Sequence, residues 1–252
     1  MSEKKAVEKM WKVILYTARA DGKNPVKDWK EHNADLEKRC NYLNSLGLNY
    51  LEYKSSNGTD FRVELNEDGL FCGGDEKTLK GRVFNPNIPS EEVFTSPKAG
   101  AAEGIVYATK PLSYQGQLIE NFSVRFTNGR VSEVKAEKGE ELLKQMVSMD
   151  EGAAMLGECA LIPYDSPINN SGVLFYNTLF DENASCHLAL GHGFNECLKG
   201  YENYTNEQCK EHGVNDSMIH VDFMIGSKDM SIIGVTKSGD RVQIFKDGNW
   251  AF

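Results

Sequence analysis

The alternation of apolar and polar residues divides this chain into a helical beginning and a long strand-rich remainder. Between residues 3 and 19, Ala6, Met10, Val13, Ile14 and Thr17 recur at helical spacing and predict one amphipathic helix. A second is predicted from Pro25, a residue tolerated in the first turn. Its apolar set, Val26, Trp29, Leu36, Cys40, Leu43 and Leu46, falls largely three or four residues apart and stops before Gly47. The period then drops to two. "LNYLEYK" and "DFRVEL" predict strands joined by a turn at Asn57-Gly58. From Gly104 onward "GIVYATKPL", "QLIENFSVRF" and "RVSEVKAE" predict further strands, with Asn128-Gly129 as the clearest turn. Residues 139–150 predict a helix, "ECALIP" and "GVLFYN" short strands, and "ASCHLALGHGF" either a helical turn or a strand. A hairpin tipped by Ser238-Gly239-Asp240 closes the chain. The predicted class is α+β: a helical lead-in over 1–47, then a β-rich mixed-sheet or barrel-like body over 48–252.

One predicted strand carries residues that are costly to bury. In "NDSMIHVDFMIGS", Ile219, Val221, Phe223 and Ile225 share one face, and Met218, His220, Asp222 and Met224 share the other. An imidazole and a carboxylate thus stand side by side on an otherwise apolar run, where an unpaired polar group costs several kcal/mol. A structural His–Asp hydrogen bond accounts for such a pair. So does a metal ion, since both groups are good ligands for zinc, cobalt or manganese.

Three other segments bear on that choice. "FNPNIPSEEVFTSP" carries Glu91 and Glu92, "MLGECALIP" carries Glu158, and "NTLFDENASCHLALGHGF" carries Asp181, Glu182 and His187. Singly, acidic pairs are usually solvated and a lone histidine is usually a core residue. Carboxylates embedded in apolar sequence on several segments are a pattern that calls for a cation. A carboxylate-rich shell of this size suits two metal ions about 3.5–4 Å apart.

Composition narrows the partners. With 28 Lys and Arg against 37 Asp and Glu, the net charge of −9 and the lack of a basic block exclude nucleic acid and anionic membrane as expected partners. No apolar run approaches the roughly 20 residues of a membrane-spanning helix. "MSEKKAVEKMWKVI" lacks the apolar core of a signal peptide, so the expected location is cytoplasmic. The six cysteines have no CxxC spacing and read as free thiols.

The segments "NIPSEEVFTSP", "GECALIPYDSPI", "FYNTLFDENASCHLALG" and "GVNDSMIHVDFMIGS" resemble, in order, the signatures of the aminopeptidase T/aminopeptidase S family of thermophilic-type metallopeptidases. The likeness runs from "RADGKNPVKDWKEH" to "FKDGNWAF". It implies a cytosolic, broad-specificity aminopeptidase that acts on peptides with a free N-terminus, holds two divalent metal ions (zinc, cobalt, magnesium or manganese) and forms a homodimer. By motif, it implies Glu92, Glu158, Glu182, His187, His220 and Asp222 as ligands, with Glu158 bridging.

Two departures from that pattern stand out. The resemblance implies that family members usually have a complete α/β domain ahead of the matched region, so the match here is expected to start only with the helices that lead into the catalytic body, with most of that domain absent. Phe194 occupies a position where the family commonly has tyrosine, whose phenol could donate to an oxyanion as phenylalanine cannot; His192 and Tyr176 are near in sequence. A general base should lie beside the water without being a ligand, and Glu91 is the candidate. Against it, adjacent residues on an extended chain point to opposite faces. A different metal-dependent amide hydrolase, or a metal-binding domain without turnover, are the alternatives.

Overall fold

The computed structural model describes residues 1–252. Helix α1 (Glu3–Thr17) and helix α2 (Pro25–Ser45) form as the patterning predicts. Asn24 caps α2 by accepting from the Lys27 amide, and Pro25 takes the first turn. The two helices differ in what they bury. Leu36, Cys40 and Leu43 of α2 join the main apolar core, whereas Thr17 is the sole buried residue of α1. No helix is long and apolar enough to cross a membrane.

The strands follow as β1 (Leu48–Lys54), β2 (Asp60–Leu65), the two-residue pair β3 (Glu76–Lys77) and β4 (Val83–Phe84), and β5 (Val93–Thr95). Next come β6 (Pro97–Tyr107), β7 (Leu112–Tyr114), β8 (Gln117–Thr127) and β9 (Arg130–Lys138), closed by helix α3 (Glu140–Val147). Then β10 (Leu156–Leu161) leads through the short helices α4 (Pro167–Ser171) and α5 (Thr178–Glu182) to β11 (His187–Gly191). Helix α6 (Asn206–Glu211) precedes β12 (His220–Met224), and β13 (Ser231–Thr236), β14 (Arg241–Lys246) and β15 (Asn249–Trp250) end the chain.

These strands make two principal sheets, antiparallel at every ladder. The larger runs β15-β14-β13-β1-β2-β6-β8-β7, with β9 also on β8, and its path is open. The smaller runs β12-β11-β10-β5. Between them lies the core: Leu51, Tyr53, Phe61, Val63, Phe122 and Phe126 from the large sheet meet Cys159, Leu161, Leu188, Leu190, Val221 and Phe223 from the small one. The α+β class is borne out.

Two strand predictions need correction. "GVLFYN" is not a strand: Gly172 ends α4 in the left-handed region at φ 64°, and the Phe175 and Asn177 amides donate to the Asp181 carboxylate rather than to a ladder. A side chain has taken donors that β-prone residues would otherwise offer to a neighbouring strand. "GIVYATKPL" splits, because β6 already begins at Pro97 and ends at Tyr107, and β7 starts only after Pro111. The ambiguous "ASCHLALGHGF" resolves into strand β11.

Candidate metal centre

One face of the small sheet serves the core, so the alternate residues face away from it. On β12 these are His220 and Asp222, on β11 His187 and Ala189, and on β10 Glu158 and Ala160. Register brings them into line: Glu158 pairs with Ala189, and Ala189 pairs with Asp222. A methyl group between two carboxylates leaves open space above the sheet. Glu92 immediately precedes β5, in phase with Phe94 and out of phase with buried Val93. Glu182 closes α5 beneath β12. The entry to β12 is fixed locally, with Asp150 accepting from the Met218 amide at 2.6 Å and Asn215 donating to Gly152 and Gly191. At Gly191 a Cβ would collide with the Ile219 carbonyl, so glycine permits this close pairing.

The result is one cluster. His187 Nε2 lies 3.7 Å from Glu92, 3.8 Å from Glu158 and 3.9 Å from Asp222. His220 Nε2 lies 3.3 Å from Glu158 and 3.1 Å from Asp222. Each imidazole donates through Nδ1 to a carbonyl: His187 to Glu182 at 2.9 Å and His220 to His192 at 2.7 Å. A carbonyl only accepts, so Nδ1 carries a proton and Nε2 is the nitrogen turned into the cluster, where it offers a lone pair once the ring is neutral. This is the orientation that metal-binding histidines adopt.

The electrostatics are those of a crowded acidic shell. Burial and the Glu158 charge push the Glu92 carboxyl up to about 8. Burial and the Asp222 charge push Glu182 up to about 9. Burial alone would lower both histidines, but contact with Glu158 raises His187 to about 10. Contact with Asp222 and Glu158 raises His220 to about 11. Asp222 moves the other way: burial would raise it, and the two imidazoles hold it below its usual range. In the ion-free cluster these shifts favour the protonated forms of Glu92, Glu182, His187 and His220.

The donor set fits a metal ion. Asp222 Oδ1 is buried without a hydrogen bond of good geometry, although His220 Nε2 lies 3.1 Å away. Two ligand triads can be drawn, Glu92–Glu158–His187 and Glu158–His220–Asp222, and Glu158 belongs to both. Oxygen and imidazole donors of this kind suit zinc, cobalt or manganese. The cluster opens onto a cavity of about 830 Å³, with Phe94 and Phe194 on its wall. Phe194 packs its ring 4.9 Å from that of His220.

Of the residues expected at the site, Glu92, Glu158, Glu182, His187, His220 and Asp222 come together. Glu91 does not join them. It is buried away from the cluster in the extended segment before β5, where Arg19 donates to both of its oxygens at 2.6 Å. That placement counts against proton acceptance by Glu91, and the face alternation of an extended chain predicts it. Asp181 is committed to its own loop, the His192 ring faces Asp216, and Tyr176 is exposed. Sequence reading missed Arg19, His32 and Asn183, which surround Glu91. Nothing local in the sequence marks them, because Glu91 lies 59 to 92 residues away from each.

Known proteins bear on this arrangement. The family model described as thermophilic metalloprotease (M29) matches residues 1–250. Aminopeptidase AmpS of Bacillus subtilis (strain 168) is 46% identical over 251 residues, covering 100% of this chain and 61% of that protein. Aminopeptidase T of Thermus aquaticus is 43% identical over 250 residues, covering 99% and 60%. The solved structure of wild-type AmpT from Thermus thermophilus superposes with a TM-score of 0.91 at 41% identity, covering 100% of this chain and 60% of that one. The chain thus spans about three fifths of the length of these relatives. It belongs to the thermophilic metalloprotease (M29) family.

Proposed function

We propose that this chain is the catalytic part of a metal-dependent aminopeptidase, acting on peptides with a free N-terminus through two divalent ions. Carboxylate and imidazole donors suit zinc, cobalt, magnesium or manganese in these positions. Glu92, Glu158 and His187 would hold one, and Glu158, His220 and Asp222 the other, with Glu182 completing the shell. The observation that carries this reading is the sharing of Glu158 between two ligand triads at a cavity. With neutral imidazoles and ionised carboxylates, the four acids give the shell a formal charge that two divalent ions would balance.

Bound ions would supply Lewis acidity to the scissile carbonyl and lower the pKa of a water. The protein's own groups do the rest. The two Nδ1 hydrogen bonds keep both imidazoles pointed at the cavity, and the apolar wall of β10–β12 fixes their spacing. The aromatic pair Phe94 and Phe194, 5.4 Å apart, makes an apolar stretch of the cavity wall. Proton acceptance falls to a carboxylate that faces the cavity, since both oxygens of Glu91 are held by Arg19. A homodimer and a cytoplasmic location belong to the same reading.

The test compares leucine-p-nitroanilide with its N-acetylated form, with and without chelator. The reading predicts that the free amine is required and that chelation abolishes release. Activity indifferent to chelation sinks the metal chemistry, and equal turnover of the acetylated substrate points to a different amide hydrolase.

A further inference from the structure

The lead-in helices end beside the metal centre in an arrangement their own stability does not require. Arg19 follows α1 with φ 51°, in the left-handed region usually left to glycine or asparagine. The Ala20 amide donates to Leu15 and the Arg19 amide to Tyr16, the paired bonds of a Schellman turn. A non-glycine side chain there costs some backbone strain, which a strong contact can offset. Its guanidinium supplies one, gripping Glu91 with two parallel hydrogen bonds of 2.6 Å. Further contacts hold the same junction. Trp29 donates to the Ala18 carbonyl at 2.9 Å, and the His32 ring contacts the Ser90 carbonyl at 2.7 Å.

Glu91 is joined to the centre on two sides. Its chain neighbour is Glu92, which faces the cluster. Its own amide donates at 2.7 Å to Oδ1 of fully buried Asn183, the residue after Glu182. Asn183 in turn donates to the Leu179 carbonyl within α5. One residue outside the cluster thus links the segments that carry Glu92 and Glu182.

We propose that Arg19, Glu91 and Asn183 are positioning residues that fix Glu92 and Glu182 for ion binding, so that the helical lead-in works as part of the metal centre. This rests on the metalloaminopeptidase reading and assigns Glu91 a task other than proton transfer. Partners that orient ligands without touching the ion typically change metal affinity or activity by about 10–100-fold when lost.

The experiment uses the full chain and reads cobalt affinity by visible absorbance, kcat and KM for leucine-p-nitroanilide, and Tm. Arg19→Gly suits the left-handed backbone but removes the fork. Arg19→Gly with Glu91→Gln also removes the buried charge that the single variant leaves unpaired. Both should fold and bind cobalt at least about tenfold more weakly, with kcat reduced and the limbs of the pH profile in place. Arg19→Lys keeps the charge without the fork and should fall between these variants and the wild type. The proposal is overturned if the double variant, or Arg19→Lys should the others not fold, stays within twofold of wild type in affinity and kcat. It is also overturned if Glu91→Gln removes the acidic limb of kcat/KM, the signature of a base. A wild-type chain that binds no cobalt refutes the function reading instead.

Discussion

Ion loading should expel protons from this site, and the number follows from its electrostatics. In the ion-free protein Glu92 is raised to about 8, Glu182 to about 9, His187 to about 10 and His220 to about 11. Each of these shifts favours the protonated form in the ion-free cluster, and each group must lose its proton to act as a ligand. Full loading should release between two protons, if only the imidazoles change, and four. Each proton makes the overall affinity tenfold weaker per unit fall in pH, about 1.4 kcal/mol. Lowering the pH from 7 to 6 should therefore cost about 3 to 5 kcal/mol of loading free energy. Isothermal titration of zinc or cobalt in buffers of different ionisation enthalpy reads the number directly as a slope. A slope below one proton per fully loaded chain, or an affinity that changes less than tenfold over that unit, refutes the electrostatic picture.

Three further outcomes follow from the same geometry. The ion-free protein should lose stability as pH rises from about 5 to 8, because Glu92, Glu182, His187 and His220 hold more protons folded than unfolded across that window. Its Tm in chelator should fall over that range, whereas the loaded protein's should not; a flat or rising chelated Tm contradicts this. Ala189→Val would place two methyl groups between Glu158 and Asp222, which both pair with Ala189. It should weaken metal binding at least tenfold with a stability loss of about 1–3 kcal/mol, checked by titration and urea unfolding; unchanged affinity would mean that the space above Ala189 is not the ion's. Phe194→Tyr adds a donor on the cavity wall beside His220 and should raise kcat on leucine-p-nitroanilide by about tenfold or more. An unchanged kcat would remove that position from the chemistry.

What could be read from the chain divides along the distance between partners. Strand alternation alone put His220 and Asp222 on one face and Val221 and Phe223 on the other, and the fold keeps both assignments. It also turned Glu91 away from Glu92, so the geometric objection to Glu91 was legible before its partner was. That partner was not, because Arg19 reaches Glu91 across 72 residues and no local period encodes the contact. The order β12-β11-β10-β5 was hidden for the same reason, since pairing depends on which apolar faces meet in the core. Some missed elements did carry signals. Thr205 and Gln208 form the capping box of α6, and Ser166-Pro167 starts α4 with a cap and a first-turn proline. "GVLFYN" failed for a physical reason: its strand-forming residues lost their backbone donors to Asp181.

The central claim is a two-ion centre organised around Glu158, and ion stoichiometry tests it most directly. Equilibrium dialysis against zinc or cobalt, followed by elemental analysis, should give two ions per chain for the wild type and a loss at both positions for Glu158→Ala, because both ligand triads contain that residue. A single ion per wild-type chain, or a Glu158→Ala variant that retains two, would contradict the account.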